Sequence, residues 1–345
     1  MKILYLYSEV MGYTLSTISS LVSFGAEVHV VYWDKKKLTP YEIPKLNKIN
    51  FYPRSKLTLK SMTLLANNIK PDITVVSGWM DYDYLKISRI LRNNGAAVVC
   101  CLDQQWEASN KKILRSILGF SGFFLRYFSH AWVSGVYQYD YAKKLGFTKK
   151  NIFFDLYSAD IKKFKNIYKK RKKKYPHRFL FLGRPVYEKG LDILLEAWDS
   201  LKSDREDWDL CLIGGHKIKR KYAGIIAKDF IQPDNLIKEF TEVGCFVLPS
   251  RLEPWGVAVH EAAIAGLPMV LSDNVGSSST FLINGWNGYS FKFNDTKQLA
   301  RCMFKIIKAP LLRLQEMGKR SNEMSKRITP ETSASNLISI LKFKL

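Results

Sequence analysis

Cysteines, acidic residues and long apolar runs are scarce in this sequence of 345 residues. Its five cysteines stand at positions 100, 101, 211, 245 and 302, and no pair has metal-ligand spacing, so a reducing compartment is expected. No apolar run has the length needed to cross a membrane. The N-terminal MKILYLYSEV has one lysine and a short apolar run, which predicts a first strand and not a signal peptide.

The shortage of acidic residues leaves a large excess of positive charge. Lys and Arg number 54 and Asp and Glu 31, a net charge of +23, which indicates an anionic partner such as nucleic acid, membrane lipid or a phosphorylated substrate. Ten of the basic residues lie in 162–178, KKFKNIYKKRKKKYPHR, which holds no acid. That run fits a solvated linker as well as a functional surface.

Short apolar runs alternate with amphipathic segments in both halves of the chain. In the first half they predict the strands KILYLY, EVHVVYW, DITVVSG, AAVVCCLD, HAWVSG and NIFFDLYS. In the second half they predict RFLFLG, WDLCLIGG, CFVLPS, PMVLSD and GYSFKF. The pattern predicts an α/β fold of two doubly wound, Rossmann-like domains, 1–165 and 178–320. Ligands bind beyond the carboxyl ends of such strands, so the loops there are the candidate sites.

The loop after RFLFLG brings two cations to one strand end. It combines a glycine turn at Gly183 with Arg184 and Lys189, just before a predicted helix. A helix N-terminus supplies N–H groups and dipole, and the two side chains supply charge, so the loop predicts an anion site. It has neither the Walker A nor the G-x-G-x-x-G pattern. Cations that are merely exposed remain the alternative.

The segment SRLEPWGVAVHEAAIAGLP, 250–268, places two acids in apolar surroundings. Gly256 can open the helix that follows, with Glu253 at its mouth and Glu261 inside it. Because a carboxylate accepts two hydroxyl hydrogen bonds, it suits the cis-diol of a sugar or ribose. A ligand across this mouth would meet Glu253 at one end and Glu261 at the other. The alternative is that Glu261 caps backbone or pairs with an arginine.

These motifs together resemble a known family. GRPVYEKG, followed by the E-x7-E pair from Glu253 to Glu261, resembles the retaining GT-B glycosyltransferases of family 4, also called glycosyl transferases group 1. The flanks FVLPSRLEPWGVAVHEAAIAGLPMVLSD and GWNGYSFKFNDTKQLA match as well. LYSEVMGYTLSTISSL and KLGF…YSAD in the first half resemble bacterial polysaccharide and lipopolysaccharide transferases. The resemblance implies a GT-B architecture, with two domains facing a cleft and a C-terminal helix, 321–345, that crosses back to the first domain.

The resemblance implies roles for the matched residues. Arg184 and Lys189 would bind the donor diphosphate and stabilise its charge as it leaves. Glu261 would hold the ribose diol of a nucleotide sugar, and Glu253 would contact the donor sugar near the reacting carbon. Backbone N–H groups for sugar hydroxyls or phosphate would come from Trp255, Gly256 and Val257. Two fixed cations and a helix N-terminus can replace a divalent metal, so neither a metal nor a cofactor is expected.

The first domain gives weaker indications of the acceptor site. Family members often place a histidine where AAVVCCLD ends, and here Asp103 is the nearest candidate for a catalytic or positioning group. Capping of the next segment is the alternative for Asp103. Gly12 stands where the family has a glycine loop that touches the donor. Asp81-Tyr82-Asp83 matches the metal motif of the other large transferase fold, but so short a match often arises by chance.

One stretch indicates contact with a membrane surface. Residues 111–128, KKILRSILGFSGFFLRYF, mix basic and aromatic side chains as interfacial amphipathic segments do. A core helix with a solvated face is the alternative.

The sequence therefore predicts a cytoplasmic, metal-independent, retaining glycosyltransferase that uses a nucleotide sugar. Its acceptor would be a glycan or lipid-linked saccharide of a bacterial surface polysaccharide, reached through peripheral contact with the anionic inner face of the membrane. A transferase for a small sugar or sugar phosphate is one alternative. A nucleic-acid-binding protein is another, suggested by the net charge of +23, but the sequence has no recognisable motif for it and no nucleic-acid partner is expected.

Overall fold

The computed structural model describes residues 1–35, 40–44, 46–170, 175–215 and 222–343. The chain divides into two compact units: Met1–Ser158 together with Ile328–Leu345, and Ala159–Arg327. The division falls at residue 158, ahead of the expected 165, because the basic run begins in a helix that packs within the second unit. Residues 171–174 of that run lie outside the described ranges.

Strands and helices alternate through the first unit. Its strands are β1 Lys2–Tyr7, β2 Glu27–Tyr32, β3 Ile49–Pro53, β4 Ile73–Val76, β5 Ala97–Leu102, β6 His130–Val133 and β7 Ile152–Phe153. Its helices up to this point are α1 Gly12–Ser23, α2 Leu59–Ile69, α3 Tyr82–Asn93, α4 Asn110–Phe120 and α5 Val136–Lys144. Short 3₁₀ turns span Arg54–Lys56, Phe124–Arg126 and Lys149–Asn151.

The second unit repeats the alternation. Its helices are α6 Ile161–Lys170, α7 Leu191–Ser200, α8 Pro233–Thr241, α9 Val257–Ile264, α10 Ser278–Phe281, α11 Thr296–Ile307 and α12 Leu311–Ser325. Its strands are β8 Arg178–Leu182, β9 Asp209–Ile213, β10 Ile225–Lys228, β11 Cys245–Leu248, β12 Met269–Ser272 and β13 Gly288–Phe291. A 3₁₀ turn, Tyr187–Lys189, precedes α7. The chain then returns to the first unit with α13 Pro330–Ser339 and a 3₁₀ turn, Ile340–Phe343.

Each unit is built on one sheet. The strand order is β3-β2-β1-β4-β5-β6-β7 in the first unit and β10-β9-β8-β11-β12-β13 in the second. Every pairing between the strands in the described ranges is parallel. The predicted α/β class with two doubly wound sheets is therefore confirmed. The order reverses between β1 and β4 and between β8 and β11, and these reversals are where such sheets bind ligands.

The sequence analysis did not predict two strands, β3 and β10, and both lie at sheet edges. β3 and β10 have mostly half-buried residues, whereas β4, β6, β11 and β12 are buried throughout. Parallel strands covered on both faces give continuous apolar runs, and edge strands do not. The weak pattern of INFYP and IIAK therefore follows from their position in the sheet.

The first sheet is covered on both faces by apolar side chains. One core cluster packs β1, β4 and β5 against α2 and α3, and the other packs them against α1 and α13. Ala334 and Leu337 of α13 are fully buried in the second cluster, beside Ile18 and Leu21 of α1. Because α13 supplies part of this core, the first unit needs a segment that follows the whole second unit in the chain.

Candidate functional site

Two loops lie at the strand-order reversal of the second unit. The basic loop, 183–190, follows β8, and the acidic loop, 249–256, follows β11, the neighbour of β8 in the sheet. Parallel neighbours end at the same edge of the sheet, so the two loops meet although about sixty residues separate them in sequence. The structure thus brings together two of the predicted motifs.

The contact between the loops is a close approach of backbone atoms. Gly190 has a left-handed backbone, φ 66°, and a Cβ there would lie 2.2 Å from the carbonyl oxygen of Pro249. Only glycine adopts this backbone conformation without strain and also fits where there is no room for a Cβ. Gly190 is also the N-cap of α7, so this contact fixes where the helix starts relative to the acidic loop.

Lys189 crosses from one loop to the other. Its ammonium donates to a carboxylate oxygen of Glu253, and the Ser250 hydroxyl lies 3.5 Å from the same oxygen. Its aliphatic stem passes Gly183, where a Cβ would lie 3.4 Å from Cδ of Lys189. Lys189 and Glu253 are both largely buried, so each charge has its partner within the site. An ammonium has three N–H donors, and Glu253 uses one of them.

Arg251 joins the loops a second time. Its guanidinium makes a two-armed ion pair with Asp192 of α7, at 2.7 and 2.6 Å, and donates to the carbonyl of Tyr187 at 2.9 Å. The same group lies 4.0 Å above the centre of the Tyr187 ring. The Arg251 hydrogen bonds hold the pKa of Asp192 below its ordinary value. The sequence motifs gave Arg251 no role, because its partners lie on a different loop and helix.

The helix α9 begins at the acidic loop, where several backbone N–H groups have no protein acceptor among the described residues. Gly256 is its N-cap with φ 88°, and a Cβ there would lie 2.9 Å from Cγ of Glu253. In the part of the chain that the structure describes, the N–H groups of Trp255, Gly256 and Val257 donate to no protein acceptor. The indole N–H of buried Trp255 also has no partner there. The predicted donors therefore lie together at one helix N-terminus.

The second cation of the basic loop is Arg184, which is exposed. Within the described ranges its guanidinium forms no ion pair, in contrast to Lys189. Arg184 and Lys189 stand at the two ends of the 184–189 turn, and α7 begins directly after it. The loop thus offers one exposed and one anchored cation.

Glu261 lies one turn inside α9 in a different environment from Glu253. It is half-buried, and burial raises the pKa of its carboxyl to about 7. The charge of Asp160 adds to this rise, and Lys163 opposes it. Lys163 itself pairs with Asp234, so it compensates Glu261 only in part. The alternative that Glu261 pairs with an arginine finds no such pair among the described residues.

Its neighbour His260 has a structural role. Nδ1 accepts from the Ala159 N–H at 3.0 Å, and Nε2 donates to the Ser325 carbonyl at 2.9 Å. The ring is fully buried against Phe281, and burial lowers its pKa to about 4. His260 is therefore neutral at pH 7 and holds α9 to the flanking segments.

In the first unit, Asp103 directly follows β5. The Tyr157 hydroxyl donates to its carboxylate at 3.3 Å, and the Gln138 side chain of α5 donates to its carbonyl at 3.0 Å. The N-cap of the next helix, α4, is Ser109, so Asp103 does not cap that helix. Gly12 is the first residue of α1, and a Cβ there would make only ordinary contact with Tyr41. The predicted contact of Gly12 with the donor stays a prediction.

The D-x-D motif is part of the fold of the first unit. Asp81 caps α3 by accepting from the N–H groups of Asp83 and Tyr84. Arg54 donates to Asp81 at 3.1 Å and to Asp83 at 2.7 Å. No group of three His, Cys, Asp or Glu side chains suited to a metal ion occurs among the described residues.

The helix α4 has its apolar side turned outward. Four large apolar residues are exposed on it, which we call the α4 apolar face: Ile113 (45%), Leu114 (58%), Ile117 (60%) and Phe120 (85%). The buried side is formed by Lys112, Ser116 and Gly119, where Lys112 pairs with Glu107. The alternative of a core helix with a solvated face therefore does not hold for α4, although Phe124 and Phe128, later in the same stretch, are buried in the core. Of the helices in the described ranges, none is both long and apolar enough to span a bilayer.

The chain forms two doubly wound sheets. A cationic loop and a helix that carries carboxylates lie together where the strand order of the second sheet reverses. Residues 162–326, just under half of the chain, match the family described as Glycosyl transferases group 1. The predicted family is thereby confirmed.

Individual relatives agree with this assignment. Glycogen synthase of Mycobacterium tuberculosis is 28% identical over 148 residues, which are 39% of this chain and 35% of that protein. The chain thus spans about a third of the length of that relative. The structure of Anabaena Alr3699/HepE in complex with UDP and glucose covers 99% of both chains at TM-score 0.72 and 14% identity. WaaG, a glycosyltransferase involved in lipopolysaccharide biosynthesis, covers 99% of this chain and 100% of its own at TM-score 0.70 and 15% identity. These structures share the fold, which is the expected GT-B architecture.

We expect Gly190→Ala to destabilise the second unit more than an otherwise similar glycine substitution. Gly285→Ala is the matched control, because Gly285 also has a left-handed backbone but open space at its Cβ. The control should cost about 1–2 kcal/mol for the backbone alone. Gly190→Ala should cost roughly a further 1–3 kcal/mol, because its methyl group meets the Pro249 carbonyl. Urea denaturation of both variants measures the difference, and equal losses would contradict the loop contact.

We expect Glu261→Gln to change the pH dependence of stability. The folded state raises the pKa of Glu261 to about 7, so it disfavours the ionised carboxyl. The free energy of unfolding therefore falls as pH rises from the ordinary pKa of a glutamate through 7. Glu261→Gln removes this loss, and it should be more stable than the wild type at pH 8 but not at pH 5. Denaturation at both pH values tests this, with exposed Glu323→Gln as the control.

Proposed function

We propose that this protein is a retaining, metal-independent glycosyltransferase that uses a nucleotide sugar. The acceptor we propose is a glycan or lipid-linked saccharide in bacterial surface polysaccharide assembly. The observation that carries the proposal is the pairing of Lys189 with Glu253 beside the α9 N-terminus, at the strand-order reversal of a group 1 glycosyltransferase segment. The UDP and glucose bound to the Anabaena structure support a nucleotide-sugar donor.

The charge at the loops suits a departing diphosphate. When the bond between the sugar carbon and the phosphate oxygen breaks, negative charge grows on the diphosphate. Lys189 is held by Glu253 before that charge appears, Arg184 adds an exposed cation, and the first N–H groups of α9 add a dipole. Glu253 contacts Lys189 and so holds the ammonium in place. This set of groups can neutralise the leaving group without a divalent ion, which is the basis for proposing metal independence.

Glu261 suits the ribose of the donor. Hydroxyl groups donate to a carboxylate, so a bound diol favours the ionised form of Glu261 and lowers its pKa. Because burial raises the pKa of Glu261 to about 7, donor binding should depend on pH in the physiological range. Glu253 is proposed to contact the sugar, because it lies at the mouth of α9 with the Trp255–Val257 donors.

The first unit is proposed to recognise the acceptor and the membrane. Asp103, held by Tyr157 and Gln138, remains the candidate to position or deprotonate the acceptor hydroxyl. The α4 apolar face is proposed to lie in the interface of an anionic bilayer, with exposed Lys111 and Arg126 next to it in sequence. The protein would then be cytoplasmic and peripheral on the inner face of the membrane.

A panel of nucleotide sugars tests the donor site. At least one should raise the melting temperature, because a ligand that binds only the native state stabilises it. Its affinity should rise about tenfold between pH 6 and pH 8 as Glu261 ionises. Glu261→Gln should abolish that rise, and the exposed Glu323→Gln should keep it. If no nucleotide sugar stabilises the protein, the proposed function is wrong.

The same donor separates the roles of the other residues. Arg184→Ala with Lys189→Ala should abolish donor binding, whereas Lys149→Ala with Lys150→Ala removes the same charge from an exposed turn and should not. Glu253→Gln should mainly slow transfer. Release of nucleoside diphosphate in the presence of a chelator measures metal dependence, and a loss of activity there would contradict a metal-free reaction.

Vesicle co-sedimentation tests the α4 apolar face. The wild type should bind vesicles with 30% anionic lipid more tightly than neutral vesicles at low salt, by roughly 1 kcal/mol for each lysine or arginine near the surface. Ile117→Ser with Phe120→Ser should reduce binding about tenfold or more, because two large apolar side chains are lost. Leu311→Ser with Leu312→Ser removes two exposed leucines from α12 and is the control. Equal effects of the two pairs would exclude this docking surface.

A further inference from the structure

A groove of the first unit lies beside the α4 apolar face and has no role in the donor chemistry. Its volume is about 540 Å³, within the range of small-molecule sites. It is bounded by the loop after β5, the end of α4 and one side of α5, and we call it the Trp106 groove after its central aromatic residue. The Gln138 side chain of α5 donates to the carbonyl of Asp103 in the same loop, so α5 both lines the groove and holds Asp103 in place.

The Trp106 groove carries two cations from α5. Lys144 is half-buried, and its ammonium lies 4.8 Å above the centre of the Trp106 ring, which holds the charge in place. Lys143 is exposed, and its ion pair with exposed Asp140 spans 3.3 Å, so water screens it strongly. With two cations and one acid, the groove is positive overall.

The same groove presents an apolar surface that continues outward. Trp106 and Tyr137 line it, and Tyr137 is 41% exposed. Phe120 also lines it and is at the same time the most exposed member of the α4 apolar face. The groove therefore has cations on one side, and Phe120 joins it to the α4 apolar face on the other.

We propose that the Trp106 groove binds the phosphate group of a lipid-linked acceptor. Lys143 and Lys144 pair with the phosphate, Trp106 and Tyr137 contact its first apolar or sugar group, and Phe120 guides the lipid chain toward the α4 apolar face. This proposal rests on the proposed function, because it names the acceptor of that reaction. Lysines in the last turn of α5 balance the helix dipole, but this role does not require an aromatic groove beside them. The proposal accounts for both the lysines and the groove.

Lysine footprinting on the wild-type protein tests the proposal with residue resolution. The protein is acetylated briefly with and without farnesyl phosphate, kept below the concentration at which it forms micelles, and each lysine is quantified by mass spectrometry. Farnesyl phosphate should slow acetylation of Lys144 at least fivefold and leave Lys149 and Lys150 unchanged. Farnesol, without phosphate, and inorganic phosphate, without lipid, should each protect Lys144 much less.

The two partial ligands distinguish a lipid-phosphate site from a simpler one. Equal protection of Lys144 by inorganic phosphate would show a free-phosphate site, and equal protection by farnesol would show an apolar site, and either would overturn the proposal. So would a lack of protection, or equal protection of Lys149 and Lys150. Protection of Lys189 by a nucleotide sugar, followed in the same spectra, reports on the donor site separately, so the two proposals can fail independently.

A set of variants tests the same site by substitution. Lys143→Ala with Lys144→Ala should weaken binding of farnesyl phosphate at least tenfold, while Lys149→Ala with Lys150→Ala should leave it unchanged. Trp106→Phe keeps an aromatic ring under Lys144 and should retain most of the binding, which Trp106→Ala should lose. Stabilisation by the nucleotide sugar should persist in all four proteins and shows that they are folded. Unchanged farnesyl phosphate binding in the Lys143 and Lys144 variant would refute the site.

Discussion

The second unit depends on one contact, the approach of Gly190 to the carbonyl oxygen of Pro249. It requires a residue without a side chain at the point where the basic loop becomes α7. Once that contact is made, Lys189 reaches Glu253, and Arg251 reaches Tyr187 and Asp192. The ion pairs and the helix N-terminus are therefore consequences of backbone packing at a strand-order reversal, and they add specificity to an arrangement that the sheet has already made.

Much of this arrangement follows from the sequence, because its parts are local. The strand before each loop, the glycine that opens α9 and the order of the charged residues are all visible in short segments. What the sequence does not show are the partners. Arg251 bonds residues that lie about sixty positions earlier. The pKa of Glu261 is raised mainly by burial, and Asp160 and Lys163 at the start of the unit raise and lower it further. Contacts between distant segments arise only when the sheet is assembled.

The first unit shows the limit of periodicity as a guide. The spacing in α4 predicts a two-faced helix correctly, but it does not tell which face is buried. Here Gly119 lies against the backbone at Lys144 and Leu145, so closely that a Cβ would lie 2.3 Å from the Lys144 carbonyl, and Lys112 pairs with Glu107. These contacts turn the small and polar side inward. The apolar side is left exposed, and the lipid surface proposed above would cover it.

The path of the chain has a consequence for how the protein is made. The first unit contains both α1 and α13, while all of the second unit lies between them in sequence. During synthesis the side chains of α1 that pack against α13 must wait until the second unit has been translated. The second unit, continuous in sequence, can complete its own core sooner. The later part of the chain is thus expected to reach its final fold first, with the earlier part closing last around its returning helix.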